Sequence, residues 1–219
     1  MSQSSRASRE KILGLIRRGN ASRPVPHSAA ARAVRSGAGS VPCAPDELWN
    51  AFAERAVAAA ATVARVESPA QLSLEISRFL QANGLSVHVG ADAGIPQIDW
   101  PQAGLVVADG PPIDDGMALV TGCFGGIAEE GAIALLSGAD RRIEHAFLAE
   151  THVVVMPIAR VVWSLDNFWE SLRTRFSGAL MPRTINLVHG PSRTADLGVP
   201  SRLGAHGPRR LHVIGMDSE

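Results

Sequence analysis

The stretch that decides the fold is MALVTGCFGGIAEEGAIALLSG, residues 117–138. Two short apolar runs, residues 117–121 and 132–136, have the length of buried β-strands. The glycines between them predict a turn, because glycine is used where the backbone takes positive φ or must approach another group closely. Glu129 and Glu130 lie on that turn, and two adjacent carboxylates there favour a polar pocket over a piece of core.

The composition is that of a globular chain with no bias toward nucleic acid or membranes. Its 219 residues are 46% hydrophobic, which is enough for a core, and its 21 basic and 21 acidic residues balance. No apolar run reaches the roughly 18–20 residues that cross a bilayer, and the N-terminus lacks a signal-peptide pattern. We therefore expect a soluble, cytoplasmic protein with no membrane span and no nucleic-acid partner.

The types of residue present also limit the chemistry of the chain. Its two cysteines, Cys43 and Cys123, cannot supply the four ligands of an iron–sulfur cluster or a zinc ribbon. Lys11 is the only lysine and lies near the N-terminus, which disfavours Schiff-base catalysis in a pocket. No set of His, Asp and Glu has metal-ligand spacing, and the GxGxxG dinucleotide motif is absent. The sequence therefore predicts no metal and no cofactor in this chain.

The organisation of the chain changes near residue 45. Residues 6–18 place apolar side chains at helical spacing and predict a short amphipathic helix. Residues 20–45 are rich in proline, glycine, serine and alanine, which predicts a linker or a loop over the surface. We therefore divide the chain into an N-terminal helix and arm, residues 1–45, and an α/β domain, residues 46–219.

Predicted helices and strands alternate in the domain. Pro45 fits the first turn of a helix, while Ser68 and Ser164 fit the N-cap position of two others. The predicted helices span residues 45–65, 69–82 and 164–176. The predicted strands span residues 85–89, 104–108, 117–121, 132–136, 152–156, 185–188 and 211–214. This alternation favours an α/β fold with a largely parallel sheet.

A second polar cluster, HGPSRTAD at residues 189–196, follows the predicted strand at residues 185–188. Ligands of open α/β sheets lie beyond the carboxyl ends of the strands, where we expect this cluster. Hydroxyls, backbone N–H groups and an arginine suit a carboxylate or a phosphate. The structural alternative is that Ser192 and Asp196 cap a short helix and that Arg193 pairs with Asp196.

Three motifs in order, GGIAEEGAIALLSG, GPSRTADLG and GAHGPRRLHVI, resemble the lactate utilisation protein C (YkgG-type) branch of the LUD-domain family. The resemblance covers residues 46–216, and GPSRTAD followed by HGP is its most specific part. It implies a Rossmann-like α/β sandwich similar to the NagB, ribose-5-phosphate isomerase and CoA-transferase superfamily. It also implies a non-cluster subunit of an L-lactate oxidation system, with iron–sulfur clusters only in partner proteins.

The first motif departs from the family pattern. The family turn usually reads Ala-Glu-Thr-Gly-Thr, whereas this chain has Ala128-Glu129-Glu130-Gly131-Ala132. A carboxylate replaces one hydroxyl and the second hydroxyl is lost. The added negative charge disfavours an anionic ligand nearby unless Glu130 points away from it or pairs with Arg193.

We therefore expect one site that is made by the turns at residues 122–131 and 190–196 together. Glu129 is also the candidate catalytic residue, because a glutamate is the nucleophile in CoA-transferases of the implied fold, an analogy of fold alone. The candidate ligand-binding residues are Gly125, Gly126, Glu129, Gly131, Gly190, Ser192, Arg193, Thr194, Asp196 and His206.

Three functions remain open from the sequence. The first is the non-cluster subunit, binding a small carboxylate or a phosphorylated ligand and acting within a lactate-oxidising complex rather than as a self-sufficient enzyme. The second is an isomerase- or CoA-transferase-like enzyme that uses Glu129. The third is a non-catalytic interaction module whose arginine-rich N-terminal arm, residues 1–44, docks a partner.

Overall fold

The computed structural model describes residues 9–15, 44–92, 95, 98–108, 116–138, 143–194, 202–204 and 206–217. The chain divides into two units, Met1–Ser40 and Val41–Glu219. Helix α1 (9–15) is the described part of the first unit. The second unit has helices α2 (Pro45–Ala58), α3 (Pro69–Ala82), α4 (His145–Leu148) and α5 (Leu165–Arg175). Its strands are β1 (Thr62–Val66), β2 (His88–Ala91), β3 (Val106–Val107), β4 (Ala118–Gly122), β5 (Gly125–Ile127), β6 (Ala132–Leu136), β7 (Thr151–Pro157), β8 (Val161–Val162), β9 (Ile185–Val188), β10 (Arg193–Thr194), β11 (Arg202–Leu203) and β12 (Arg210–Met216).

Two larger sheets organise the second unit. The first has six strands in the order β1-β12-β7-β4-β2-β3, and every neighbouring pair in it is parallel. The second has the order β8-β5-β6-β9 and is mixed, since β5 pairs antiparallel with β6 and parallel with β8. The α/β class and the largely parallel central sheet are therefore confirmed.

The layers follow from the alternation of side chains along the strands. On β4, Leu119 faces a core shared with α2 and the second sheet, whereas Ala118 and Val120 face a core shared with α3. On β6, Ile133 faces the core beside α2, whereas Ala134 faces a third core beneath α5. The order of layers is therefore α3, the parallel sheet, the second sheet with α2 beside it, and α5.

The predicted helix starts are confirmed. Pro45 is in the first turn of α2. The Ser68 side chain accepts a hydrogen bond from the Gln71 N–H at the start of α3. Ser164 and Asn167 form a reciprocal capping box at the start of α5. Each cap satisfies backbone N–H groups that have no partner inside the helix, which is why local sequence alone locates these starts.

The predicted helix at residues 45–65 is too long, because α2 ends at Ala58 and Thr62–Val66 form strand β1. Ala60 has φ of 69°, which ends the helical path. Strand β1 then pairs with β12 at the edge of the parallel sheet. Over so short a run, the apolar residues of β1 fit the period of a helix as well as that of a strand. Pairing with β12 stabilises the strand.

The glycine turn predicted around residues 122–126 is partly wrong. Gly125 and Gly126 belong to β5, which crosses from the parallel sheet into the second sheet. The two apolar runs of the opening stretch, β4 and β6, therefore lie in different sheets and do not pair with each other. β6 pairs instead with β5 and β9.

Nothing in the described part of the chain has the helical length and apolarity to span a bilayer. The predicted linker, residues 20–45, lies almost entirely outside the described residues, and the division near residue 45 stays a prediction.

Candidate functional site

The β6–β9 ladder sets the two polar turns predicted to form one site at the same end of two paired strands. Ile133 pairs with Val188, and each step back along β6 matches one step forward along β9. Continued by two residues, this register places Gly131 opposite Gly190. We call the segments at residues 128–131 and 189–192 the joined turns.

Helix α2 fills the space where side chains would extend from both glycines of the joined turns. A Cβ on Gly131 would lie 2.7 Å from the Ala56 backbone nitrogen, and one on Gly190 would lie 2.5 Å from the Ala59 carbonyl oxygen. Both glycines also have positive φ, of 63° and 129°. The absence of side chains at these glycines therefore lets the turns pack closely against α2 and Ala59, the residue after it. The helix occupies the space in which we expected a ligand.

The acidic turn is held by its backbone, not by its carboxylates. The Ala128 and Glu129 N–H groups donate to the carbonyl oxygens of Val162 and Trp163, each at 2.8 Å. The side chains of Glu129 and Glu130 are exposed. Among the ion pairs of the described residues, none involves Glu129, Glu130 or Arg193. The sequence left open whether Glu130 points away from the site or pairs with Arg193. Its side chain is exposed and does not pair with Arg193.

The second and third motifs pack on each other through Ser192. Its N–H donates to the Pro208 carbonyl oxygen at 2.8 Å, and its Oγ accepts from the His206 N–H at 3.2 Å. Strand β10 begins at the next residue, where Arg193 pairs with Leu203. The structural alternative, a short helix capped by Ser192, is therefore wrong, because the next two residues form a strand. Asp196 lies outside the described residues, and of Thr194 only the backbone pairing with Arg202 is described.

This cluster lies at the amino edge of the parallel sheet. Pro208 comes just before β12, and the N–H groups of Arg209 and Arg210 donate to the carbonyl oxygen of Glu150, just before β7. The prediction that residues 190–196 lie at the carboxyl ends of the parallel sheet is wrong for the described part of that segment, residues 190–194. The strand before them, β9, belongs to the second sheet and runs antiparallel to β6.

Gly125 and Gly126 lie away from the joined turns, at the start of β5. A Cβ on Gly126 would come within 2.8 Å of the Met156 sulfur and 3.2 Å of the Phe52 ring. A Cβ on Gly125 would overlap the Arg160 carbonyl oxygen, and Gly125 lines a pocket together with Arg160. The candidate residues thus fall into two groups at opposite ends of β5.

Sequence reasoning missed Arg160 and Arg175, which share that pocket. Arg160 follows the carboxyl end of β7 by three residues. The same carboxyl-end rule, applied to the buried run at residues 152–156, points to Arg160. No comparable signal marks Arg175, because only the packing of α5 brings it to the pocket.

Two buried histidines belong to the core. Burial lowers the pKa of His152 to about 4, and its Nε2 lies 2.8 Å from the Thr121 Oγ1. Burial also lowers the pKa of His212 to about 4, against the opposing effect of Glu75. The His212 ring stacks on Phe79 with 4.1 Å between centroids. Neither histidine joins a metal-binding group, since the described residues contain no cluster of three His, Cys, Asp or Glu that could hold an ion.

Known proteins similar to this chain identify its family. The family model described as the LUD domain matches residues 116–215. Lactate utilization protein C of Deinococcus radiodurans is 30% identical over 180 residues, which cover 79% of this chain and 81% of that protein. The uncharacterized protein YkgG of Escherichia coli is 31% identical over 84 residues, which cover 38% of this chain and 36% of that protein.

A solved structure shares the fold. It is the crystal structure of a DUF162 family protein from Deinococcus radiodurans, with a TM-score of 0.58 at 24% sequence identity. The match covers 80% of this chain and 99% of that chain. With the extent of the match to lactate utilization protein C, these similarities lead to one conclusion: the chain belongs to the LUD-domain family.

Proposed function

We propose that the protein is a non-cluster component of a lactate utilisation system that oxidises L-lactate. The observation that carries this proposal is the 30% identity to a lactate utilization protein C, sustained over 79% of this chain and 81% of that protein. Because two cysteines cannot supply the four thiolates of a cluster, the iron–sulfur centres belong to partner proteins. The proposal places the chain with these partners in the cytoplasm.

The finer fold is part of the same proposal. A parallel sheet with a second sheet packed on one face supports a sandwich of the NagB, ribose-5-phosphate isomerase and CoA-transferase type. A fold of this type hosts several chemistries, so it does not by itself decide between a subunit and an enzyme.

The ligand in this proposal is a small carboxylate or phosphorylated compound held by Arg193, the residue that follows the second of the joined turns. Support comes from the exposed Arg193 side chain, which joins no ion pair among the described residues. Ser192 and the His206 backbone stand beside it, tied by their hydrogen bond. An arginine next to hydroxyl and N–H groups suits an oxyanion, which it can bind through two parallel hydrogen bonds.

Growth of a strain that lacks the gene tests the role. We expect slow growth on L-lactate, normal growth on glucose, and full rescue by the wild-type gene. Equal growth of the deleted and parental strains on L-lactate contradicts the role.

Two arginine variants test the position of the ligand separately from the role. Arg193→Ala is expected to fail to restore growth on L-lactate. Arg173→Ala removes the same charge from an exposed position on α5 and is expected to restore it. If both variants restore growth, the role stands and Arg193 does not hold the ligand.

A further inference from the structure

We propose that the pocket between β5, the 3-10 turn Ile158–Arg160 and α5 binds an oxyanion attached to an apolar body. We call it the arginine pocket; it has a volume of about 290 Å³. It is separate from the joined turns and does not rest on a role in lactate utilisation. Four observations carry the proposal: its place on the sheet, its lining, its charge and the support of Arg160 by Gly125.

The arginine pocket lies beyond the carboxyl ends of two neighbouring parallel strands. Phe124 and Gly125 follow the end of β4 at Gly122 by two and three residues, and Arg160 follows the end of β7 at Pro157 by three. β4 and β7 pair with each other in the middle of the sheet. This is the edge at which open α/β sheets bind their ligands.

One stripe of α5 forms a wall of the pocket. Phe168, Ser171 and Arg175 are spaced by three and four residues, so they share one face of the helix. Phe168 is buried, and its ring packs edge-on against that of Phe124 at 5.8 Å between centroids. The pocket thus combines an aromatic floor with a hydroxyl and a guanidinium on the same wall.

The charge of the pocket is positive. Its described lining residues include Arg160 and Arg175 and no acidic residue. Neither arginine takes part in the ion pairs formed among the described residues. The Arg175 guanidinium lies 5.8 Å from the centre of the Phe176 ring, which holds it near an aromatic surface. Two arginines in a pocket that also has an apolar lining suit a carboxylate or phosphate, which arginine binds in a bidentate way.

Gly125 explains why Arg160 stands where it does. The Arg160 carbonyl oxygen occupies the position that a Cβ on Gly125 would take. The 3-10 turn therefore rests directly on the start of β5 and presents Arg160 at the pocket. Gly125 is therefore a positioning residue: because it has no side chain, it leaves room for the Arg160 carbonyl oxygen, and it makes no side-chain contact with the ligand.

The size of the pocket indicates a ligand larger than a small acid without an apolar body. A volume near 290 Å³ is at the lower end of the range of ~300–1,000 Å³ for small-molecule sites. An apolar group on the ligand would bury the surface of the aromatic floor, and an oxyanion would pair with the arginines. The ligand class is therefore a carboxylate or a phosphate monoester with a compact apolar body.

Calorimetric titration of the full chain with four probes tests this class. Phenylpyruvate and phenyl phosphate carry both parts, pyruvate lacks the apolar body, and benzyl alcohol lacks the charge. We expect at least one of the first two to bind about tenfold or more tightly than pyruvate and benzyl alcohol. Preference for phenylpyruvate identifies a carboxylate ligand and preference for phenyl phosphate a phosphate ligand. Absence of saturable binding by both overturns the proposal and leaves the lactate role untouched.

Charge variants locate the binding of the preferred probe. Arg160→Met and Arg175→Met are each expected to raise Kd about tenfold or more, since each removes a charge-assisted contact. Arg173→Met removes the same charge from α5 outside the pocket lining and is expected to leave Kd unchanged. A Kd that rises equally in Arg173→Met, or only in Arg193→Met, overturns the proposal.

A steric variant tests the cavity while both arginines remain. Ser171→Phe places a ring in the pocket and is expected to abolish binding. Thr174→Phe adds the same ring at an exposed position of α5 and is expected to bind as the wild type does. Wild-type binding by a folded Ser171→Phe protein contradicts the assignment to this pocket.

Discussion

The two sheets bury their strands in different ways. In the parallel sheet, every residue of β4 and all but the last of β7 are buried, and large apolar side chains point to both faces. In the second sheet, β5 has two glycines in three residues, and edge strand β9 is only half-buried along its length. Side chains pack the central strands of both sheets, and the second sheet also comes close to its neighbours through the backbone of its glycines.

The two sheets also differ in the candidate binding sites that adjoin them. The arginine pocket and the joined turns adjoin the second sheet, at the two ends of β5 and beyond β9, whereas residues 206–208 precede β12 of the parallel sheet. The parallel sheet supplies rigid strand ends on which these segments rest. Binding residues are commonly found on such connecting segments, since a rigid scaffold positions them and their own sequence can vary.

The largest effect is expected from a side chain at the glycine contact between the second sheet and α2. Gly131→Val should lower the free energy of unfolding by about 4 kcal/mol, from ~1–2 kcal/mol for positive φ and ~1–3 kcal/mol for overpacking. The physical reason is the 2.7 Å approach to the Ala56 backbone nitrogen, which cannot rotate away. Urea denaturation followed by circular dichroism measures the change.

Gly178→Val is the matched control for this prediction. Gly178 has φ of 76°, but no atom lies within 4 Å of the position of a Cβ there. The control therefore retains the backbone cost and removes the packing cost. An equal loss in both variants would mean that contact with α2 does not hold the second sheet in place.

The parts of the fold that could be predicted from sequence are those fixed by local patterns. The run at residues 132–136 matches β6 at both ends, because apolar residues follow one another there without interruption. The helix starts at Pro45, Ser68 and Ser164 were readable because caps are local. The run at residues 152–156, apolar after His152, indicated a strand buried on both faces, as β7 is.

The parts that could not be predicted depend on distant residues. Gly125 and Gly126 gave no strand signal, because their strand forms by pairing with residues far along the chain. Gly125 pairs with Ala134 of β6, and Gly126 pairs with Val161 of β8. The sequence offered no sign that β6 and β9 pair with each other, although this ladder sets the turns before β6 and after β9 at the same end. The arginine pocket did not follow, because Arg160 and Arg175 meet only after α5 packs over the second sheet.

The parallel sheet is expected to lose stability in acid because it buries uncharged histidines. His152 and His212 have pKa values of about 4 when folded, against an ordinary value of 6.5. The unfolded chain takes up protons below pH 6.5 and the folded chain does not, so stability is complete above pH 6.5 and is lost toward pH 4. Each histidine should cost about 2 kcal/mol between pH 6.5 and pH 5. Urea denaturation across that range measures the loss.

His152→Gln tests this assignment. The variant cannot titrate at this position, so about half of the loss between pH 6.5 and pH 5 should disappear. His212 continues to titrate beside Glu75, whose pKa is lowered chiefly by its hydrogen bond from Arg78. An unchanged acid dependence in a folded His152→Gln protein would show that His152 does not contribute to the loss.

The smallest effect on stability is expected at the acidic turn of the second sheet. The Glu129 side chain is exposed and its backbone N–H makes the contact to Trp163, so Glu129→Gln should change the free energy of unfolding by less than about 0.5 kcal/mol. The variant therefore separates chemistry from folding. We expect mass spectrometry after incubation of the wild type with acetyl-CoA to find no adduct on Glu129, whose carboxylate faces solvent. An acyl adduct at Glu129 that is absent in Glu129→Gln and retained in the control Glu130→Gln would contradict this expectation. It would assign the nucleophile of a CoA-transferase-like reaction to the second sheet.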